Sequence, residues 1–251
     1  MARMPSAHLV DPAHLADLVA RASGLVCAQR RTLLGIAGAP GAGKTTLAEE
    51  LVGALRADPP GGLGAEAVAH LPMDGFHLAD VQLDRLRLLG RKGAPETFDA
   101  RGYCAVLDRF LADDGHRIFV PGFERQLEQP LAAAIAIEPG ARLVVTEGNY
   151  LLLDEEPWSQ VRERFAEVWF VDIPDEERRR RLVARHIEFG KPRAAAQAWA
   201  LGPDQANADR VVASRERADL VLPPRVTGAE LTPEEAPVPG RHTAPTPVRG
   251  E

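Results

Sequence analysis

Cysteine is nearly absent from this chain: Cys27 and Cys104 are the only two among 251 residues. Their separation matches no metal-binding spacing, and two thiols build no disulfide framework, so the pattern fits a reducing cytosol. Long hydrophobic runs are missing as well. No apolar stretch approaches the roughly 20 residues needed to cross a bilayer. The N-terminus, Met1–Ser6, leads into an amphipathic stretch instead of the long apolar segment of a secretion signal. The expectation is a soluble cytoplasmic protein without a membrane partner. Positive charge is not in excess: the formal net charge is −6, with both signs spread along the chain. That leaves no basic field for a nucleic-acid backbone. Lysine is scarce too, since 30 basic residues include only Lys44, Lys92 and Lys191. Where a chain so consistently chooses arginine, the positions that keep lysine are candidates for chemistry that needs a compact ammonium.

What is present is an ordinary globular composition, 45% apolar and 26% charged, in a length that allows one large domain or two small ones. Asp11-Pro12 reads as a helix start, followed by Leu15, Leu18, Val19, Ala22, Leu25 and Val26 at helical spacing, which predicts a helix over 12–30. Thr32–Ala37 reads as a buried strand and Thr45–Leu55 as the next helix. Residues 58–64 read as a loop and Ala65–Leu71 as a second strand. Leu78–Leu89 and a segment capped by Asp99 up to about Ala112 are predicted helical. Further strands are expected at Arg117–Val120, Arg142–Thr146, Glu167–Val171 and Leu220–Leu222. Helices are expected from near Pro157, over Asp175–Phe189, and over Pro203–Arg217. Strands alternating with helices imply an α/β protein with a parallel sheet. Residues 1–31 would pack as an N-terminal helix on a domain spanning 32–222. The last 29 residues, 223–251, hold seven of 21 prolines and little apolar periodicity, which predicts a disordered tail.

Gly38-Ala39-Pro40-Gly41-Ala42-Gly43-Lys44-Thr45 joins the first strand to the next helix. This is the phosphate-binding G-x-x-x-x-G-K-T pattern. Glycines let successive backbone N–H groups curl around an anion, and the helix adds the positive end of its dipole. Lys44 would reach the β- and γ-phosphates, and the Thr45 hydroxyl would ligate Mg²⁺. The chain lacks the Asn-Lys-x-Asp sequence of a guanine reader and the Ser-Gly-Gly signature of a transporter-type ATPase.

In open parallel sheets, ligands bind beyond the carboxyl ends of the strands. Asp74, Glu124, Glu147 and Asp172 are each expected at such an edge. Phosphoryl transfer uses one carboxylate to orient or deprotonate the attacking hydroxyl and another to hold the metal. Asp74 is the candidate base, although an Asp-Gly turn explains it equally well on local sequence. Glu147 and Asp172 both end apolar runs in the manner of a metal-holding acid. Ile173-Pro174-Asp175 looks like a helix start, which gives Asp172 a capping role and leaves Glu147 ahead. His77 reads either as a substrate contact or as a structural histidine. Arg91–Asp99 is a charged loop that reads either as an acceptor-recognition segment or as a solvated connection. Arg178, Arg181 and Arg185 share one helix face; a charge run of this kind reads as a solvated face that Glu176 and Glu177 could pair with, or, with the Gly190-Lys191-Pro192 break, as a helix that closes as a lid.

Together these motifs resemble the P-loop kinases that include uridine kinase, phosphoribulokinase and bacterial type I pantothenate kinase. The bacterial nucleoside/nucleotide kinase-like branch, also called fructose-transport-associated kinase, is the most similar. The likeness is carried by Gly38–Thr45, Met73–Leu78, Arg91–Asp99, Thr146–Leu152 and Arg185-His186, and covers about residues 30–222. It implies a three-layer P-loop fold with a lid helix, MgATP as cofactor, and transfer of the γ-phosphate to a hydroxyl of a small metabolite. A nucleoside or sugar is the first expectation and pantothenate the second. In this reading Asp74, Lys44 and Glu147 are catalytic, and Gly38–Thr45, Thr46, Arg181 and Arg185 bind ATP. Acceptor contacts would come from Asp74, Phe76, His77, Arg91, Lys92, Phe98, Arg125, Asn149 and Tyr150. Ser214–Leu220 looks like the end of pantothenate kinase, which adds Asn207. Where the branch has Phe-Asp-Arg, this chain has Phe123-Glu124-Arg125. The resemblance also brings a homodimer into consideration. The competing class is a nucleotide-binding regulatory ATPase without acceptor chemistry.

Overall fold

The computed structural model describes residues 12–223. Its centre is β1 (Thr32–Ala37), whose six residues are all buried. Parallel neighbours lie on both sides: β5 (Leu143–Gly148) on one and β6 (Glu167–Val171) on the other. Beyond them lie β2 (Val68–Pro72) and β7 (Leu220–Leu222), giving the order β2-β5-β1-β6-β7. A strand covered on both faces reads as a continuous apolar run, and Leu33–Ala37 of β1 and Leu143–Val145 of β5 are such runs.

The two-residue repeat of a strand sends alternate side chains to opposite faces. Leu34 and Ile36 of β1 join Leu18 and Ala22 of α1 (Pro12–Leu25) and Leu47, Leu51 and Leu55 of α2 (Lys44–Ala57). Leu33 and Ala37 face the other layer, with Tyr103 and Leu107 of α4 (Ala100–Leu111), Trp158, and Val211 of α7 (Pro203–Ala213). Helix, sheet and helix make three layers. Asp99 caps α4, its carboxylate accepting from the Gly102 N–H at 2.8 Å.

Several elements differ from expectation. The predicted third strand is not in the parallel sheet. It runs as β3 (Ile118–Glu124) and pairs antiparallel with β4 (Gln129–Ile137) in a separate hairpin. β4 is alanine-rich, and alanine carries little strand preference, so nothing in Gln129–Ile137 announces it. The N-terminal helix stops at Leu25, not at residue 30. The helix predicted over Leu78–Leu89 shortens to α3 (Asp80–Arg85), and the one near Pro157 is two single 3₁₀ turns. α5 (Asp175–Glu188) is followed by an unpredicted α6 (Arg193–Leu201), and the helix expected to Arg217 is α7 plus one 3₁₀ turn. The Asp11 cap and the tail beyond Pro223 lie outside the described residues.

The hairpin matters because of where it packs. It lies against the turn Met73–Phe76, and a Cβ on Gly75 would come within 2.3 Å of the Pro121 carbonyl oxygen. Only glycine permits that approach, which brings the hairpin's Arg125 beside Asp74.

Candidate active site

The loop after β1 curls through left-handed backbone at Gly41 (φ 82°) and Gly43 (φ 96°), and α2 starts at Lys44. Its free N–H groups and the helix dipole together make an anion cradle. Helix α5 sits directly on the loop, since a Cβ on Gly41 would lie 2.8 Å from Leu182 and 3.1 Å from the Arg178 carbonyl oxygen.

Lys44 is 7% exposed. Its ammonium donates to the Ala39 carbonyl at 3.1 Å and to Asn149 Oδ1 at 2.7 Å. Burial lowers its pKa to about 8, aided by Arg185 and Arg125 and opposed by Glu147 and Asp74. Glu147, at the end of β5, is 3% exposed and accepts from the Thr45 hydroxyl at 3.0 Å. Burial, reinforced by the negative charge of Asp74, raises it to about 7.

Asp74 comes from the turn after β2, two strands from the loop, and lies 3.5 Å from the Arg125 guanidinium. Burial pushes its pKa up, but surrounding positive charge outweighs this and holds it below the ordinary carboxylate value. His77 heads those charges, followed by Arg125, Lys44 and Arg185. His77 is itself pushed down by burial against the pull of Asp74, so near neutral pH the lysine and arginines keep Asp74 ionised.

A cavity of about 400 Å³ joins these groups. Of the residues expected at the site, Pro40, Gly41, Lys44, Thr45, Asp74, His77, Lys92, Arg125, Glu147, Asn149, Arg185 and Asn207 line it. Gly38, Ala39, Ala42, Gly43 and Thr46 belong to the loop and the first turn of α2 but do not line it. Phe76, Phe98 and Tyr150 are buried in the apolar core, where they pack around Tyr103 and Trp158. They shape the wall from behind. Arg91 is turned outward, 62% exposed and paired with Glu96. Arg181 pairs with Glu177 at 2.7 Å and stays out of the cavity. Arg178 is buried, held by Asp175 at 3.0 Å and by Gln205. Asp172 accepts from the Ile173 N–H and pairs with Arg215, away from the cavity. Glu124 lines an adjoining cavity of about 320 Å³ that shares Thr45, Asp74 and Glu147 with the first.

The sequence reading missed Asp80, Phe123 and Glu128 on one side of the cavity, and Phe189, Trp199 and Asp204 on the other. Asp204 pairs with His186 at 2.7 Å, tying α7 to α5. The retained Lys191, which lies over the Trp199 ring and lines the cavity, and a tryptophan in the otherwise alanine-rich α6 were the available signals for this side.

Sheet, loop and covering helix place the chain in the class of P-loop nucleotide-binding proteins. Known proteins narrow the class. No protein-family model matches the chain. An Aspergillus versicolor protein named "ATP-dependent kinase-like protein notR'" is 36% identical over 160 residues, spanning 60% of this chain and 93% of that one. A Schizosaccharomyces pombe protein named "Putative uridine kinase C227.14" is 33% identical over 178 residues, 69% of this chain and 74% of its own length. A solved structure from Silicibacter sp. TM1040, named "putative fructose transport system kinase", superposes with a TM-score of 0.75 at 36% identity. That match covers 83% of this chain and 98% of the other. The chain belongs to this family of ATP-dependent, uridine-kinase-like P-loop kinases.

Proposed function

We propose that the protein transfers the γ-phosphate of MgATP to a hydroxyl of a small metabolite, a nucleoside or sugar first and pantothenate second. The observation that carries the reading is that an ionised Asp74 and the phosphate-loop Lys44 line the same cavity. The triphosphate lies in the cradle of Gly38–Thr45, and Lys44 exchanges its contacts with Ala39 and Asn149 for phosphate oxygens. Asp74 orients the acceptor hydroxyl and takes its proton as the new oxygen–phosphorus bond forms. The bond from the γ-phosphorus to the bridging oxygen breaks, and ADP leaves with the electron pair.

Arg185 supplies cationic charge on the lid side. Among the described residues of α5, the other four arginines are held by carboxylates or Gln205, whereas Arg185 has no ion pair and lines the cavity. Thr45 and Glu147 fit a magnesium ion: both offer oxygen, they already touch, and burial leaves Glu147 in need of a counter-charge. When bound there, the metal would neutralise charge on the phosphate oxygens. The names of the relatives support a nucleoside or sugar acceptor, and Asn207 in the cavity wall supports pantothenate. A cytoplasmic location fits the scarcity of cysteine, and among the described residues no helix is long and apolar enough to cross a membrane.

The test is ADP release with nucleosides, ketoses and pantothenate as acceptors. Stimulation by one of them, with a phosphorylated product, supports the reading. Nucleotide binding without any stimulation would favour the regulatory ATPase.

A further inference from the structure

Asn149 and Tyr150 follow β5 directly, and each holds a different loop of the site. Asn149 Oδ1 accepts from the Lys44 ammonium at 2.7 Å. The Tyr150 hydroxyl donates to the carbonyl of Gly93, in the Arg91–Asp99 loop. Gly93 and its neighbour Lys92 line the main cavity, so this loop forms part of its wall. Tyr150 is fully buried, with its ring edge-on to Phe98 at a centroid distance of 5.5 Å and tilted against Trp158 at 5.5 Å. Trp158 holds the same loop, donating through Nε1 to the Pro95 carbonyl at 3.2 Å. Burial raises the pKa of the Tyr150 phenol, opposed by Arg210 and by a hydrogen bond from the Asn149 side chain. The polarity along these groups is fixed. An ammonium only donates and a backbone carbonyl only accepts, so Asn149 turns its oxygen to Lys44 and its NH₂ to the phenol, whose own hydrogen goes to Gly93.

We infer that Asn149 and Tyr150 are positioning residues that carry nucleotide occupancy from the phosphate loop to the Arg91–Asp99 loop. The ammonium that Asn149 holds is the one that phosphate oxygens claim. Asn149 is neutral, and a bond from an ammonium to a phosphate is stronger than one to a neutral amide, so a bound nucleotide wins Lys44. The Asn149 amide then loses the partner that fixes its orientation, and the next residue, Tyr150, holds Gly93 less firmly. The Lys92-Gly93 wall is therefore most open to rearrangement once the phosphates are in place, which favours a second substrate that enters after the nucleotide. Nucleotide binding at the loop is the one part of the kinase reading that this coupling needs.

Hydrogen–deuterium exchange at residues 92–97 of the full chain, read by mass spectrometry, follows the hold on this loop. It is measured with and without magnesium and AMP-PNP, an ATP analogue that does not transfer its γ-phosphate, at saturation checked by calorimetry. In the wild type the nucleotide should speed exchange there about fivefold, the effect of one hydrogen bond of ordinary strength. Tyr150→Phe keeps the ring in the core and removes only the hydroxyl. Its exchange at 92–97 should be fast in both states, with the response to nucleotide gone. Asn149→Leu, which keeps the shape of the amide without its polar atoms, should lose the response as well. If Tyr150 served packing alone, the phenylalanine variant would keep the response. A response that survives in either variant, or a wild type whose exchange is unchanged or slowed at full occupancy, would overturn the inference. Failure to bind AMP-PNP would overturn it together with the kinase reading, whereas coupled exchange without ADP release on any acceptor would count against the kinase reading alone.

Discussion

Replacing Glu147 with glutamine exposes a cost built into the site. The carboxylate is 3% exposed, and burial raises its pKa from 4.5 to about 7. Below about pH 4.5 it is protonated whether the chain is folded or not. Between 4.5 and 7 the folded protein holds a proton that the unfolded chain releases. Stability contributed at this position is therefore present at low pH and lost as pH rises through about 7. A shift of that size, taken between pH 5 and pH 8, removes on the order of 2–3 kcal/mol from the nucleotide-free enzyme. Glutamine keeps an oxygen to accept from Thr45 and has nothing to titrate. Lys44 reinforces the trend, because losing the Glu147 charge lowers its pKa further and makes the variant gain stability as pH rises. Urea unfolding of both proteins at pH 5 and pH 8, without nucleotide, reads the effect. The two should be nearly equal at pH 5, with the variant more stable by about 2–3 kcal/mol at pH 8. Stability curves that stay parallel, or a wild type that gains on the variant with rising pH, would refute the reasoning. With magnesium and ATP the order should reverse in function, since a metal ligand must shed its proton. Wild-type affinity for MgATP should rise across pH 6–7.5, while the variant's stays flat and weak.

Lys44→Ala should abolish nucleotide binding or turnover, read by ATP titration and ADP release, because its buried ammonium sits against the loop, donating to the Ala39 carbonyl. Asp74→Asn should bind ATP at least as tightly, as it removes a negative charge near the triphosphate, yet lose about 10²–10⁴-fold in transfer. Full activity in that variant would remove Asp74 as the base. Arg185→Ala should lower kcat by at least about 10²-fold, whereas Arg181→Ala, whose charge is spent on Glu177, should stay near wild type. Comparable losses in both would contradict the assignment of the lid cation. Gly75→Ala should cost about 1–3 kcal/mol in thermal or urea unfolding, because its Cβ meets backbone of the hairpin.

The parallel core was legible because its strands are short apolar runs that end at glycine or acid, and the phosphate loop because its spacing is dictated by phosphate geometry. Asp74 and Glu147 could be brought together by the rule that places ligands at the strand ends. The hairpin could not, since Leu131–Ala136 carries no strand alternation and its partner β3 resembles another sheet strand. That error put Glu124 at the wrong edge, although Arg125 still reaches Asp74 through the close approach at Gly75. Residues contributed by tertiary packing alone were also beyond reach. The pairing of Arg181 with Glu177, by contrast, is a local i,i+4 contact that helical spacing allows, and it leaves Arg185 as the arginine of that face on the cavity. Phe76, Phe98 and Tyr150 sit inside motifs of the family but serve the core. Position in a motif does not say which way a side chain turns.

The central claim is phosphoryl transfer to a small hydroxylated acceptor, and ADP release across nucleosides, ketoses and pantothenate tests it most directly. At least one acceptor should raise ADP formation well above the buffer rate, with a phosphorylated product in equal amount. ADP formation that stays at the buffer rate with every acceptor would contradict it.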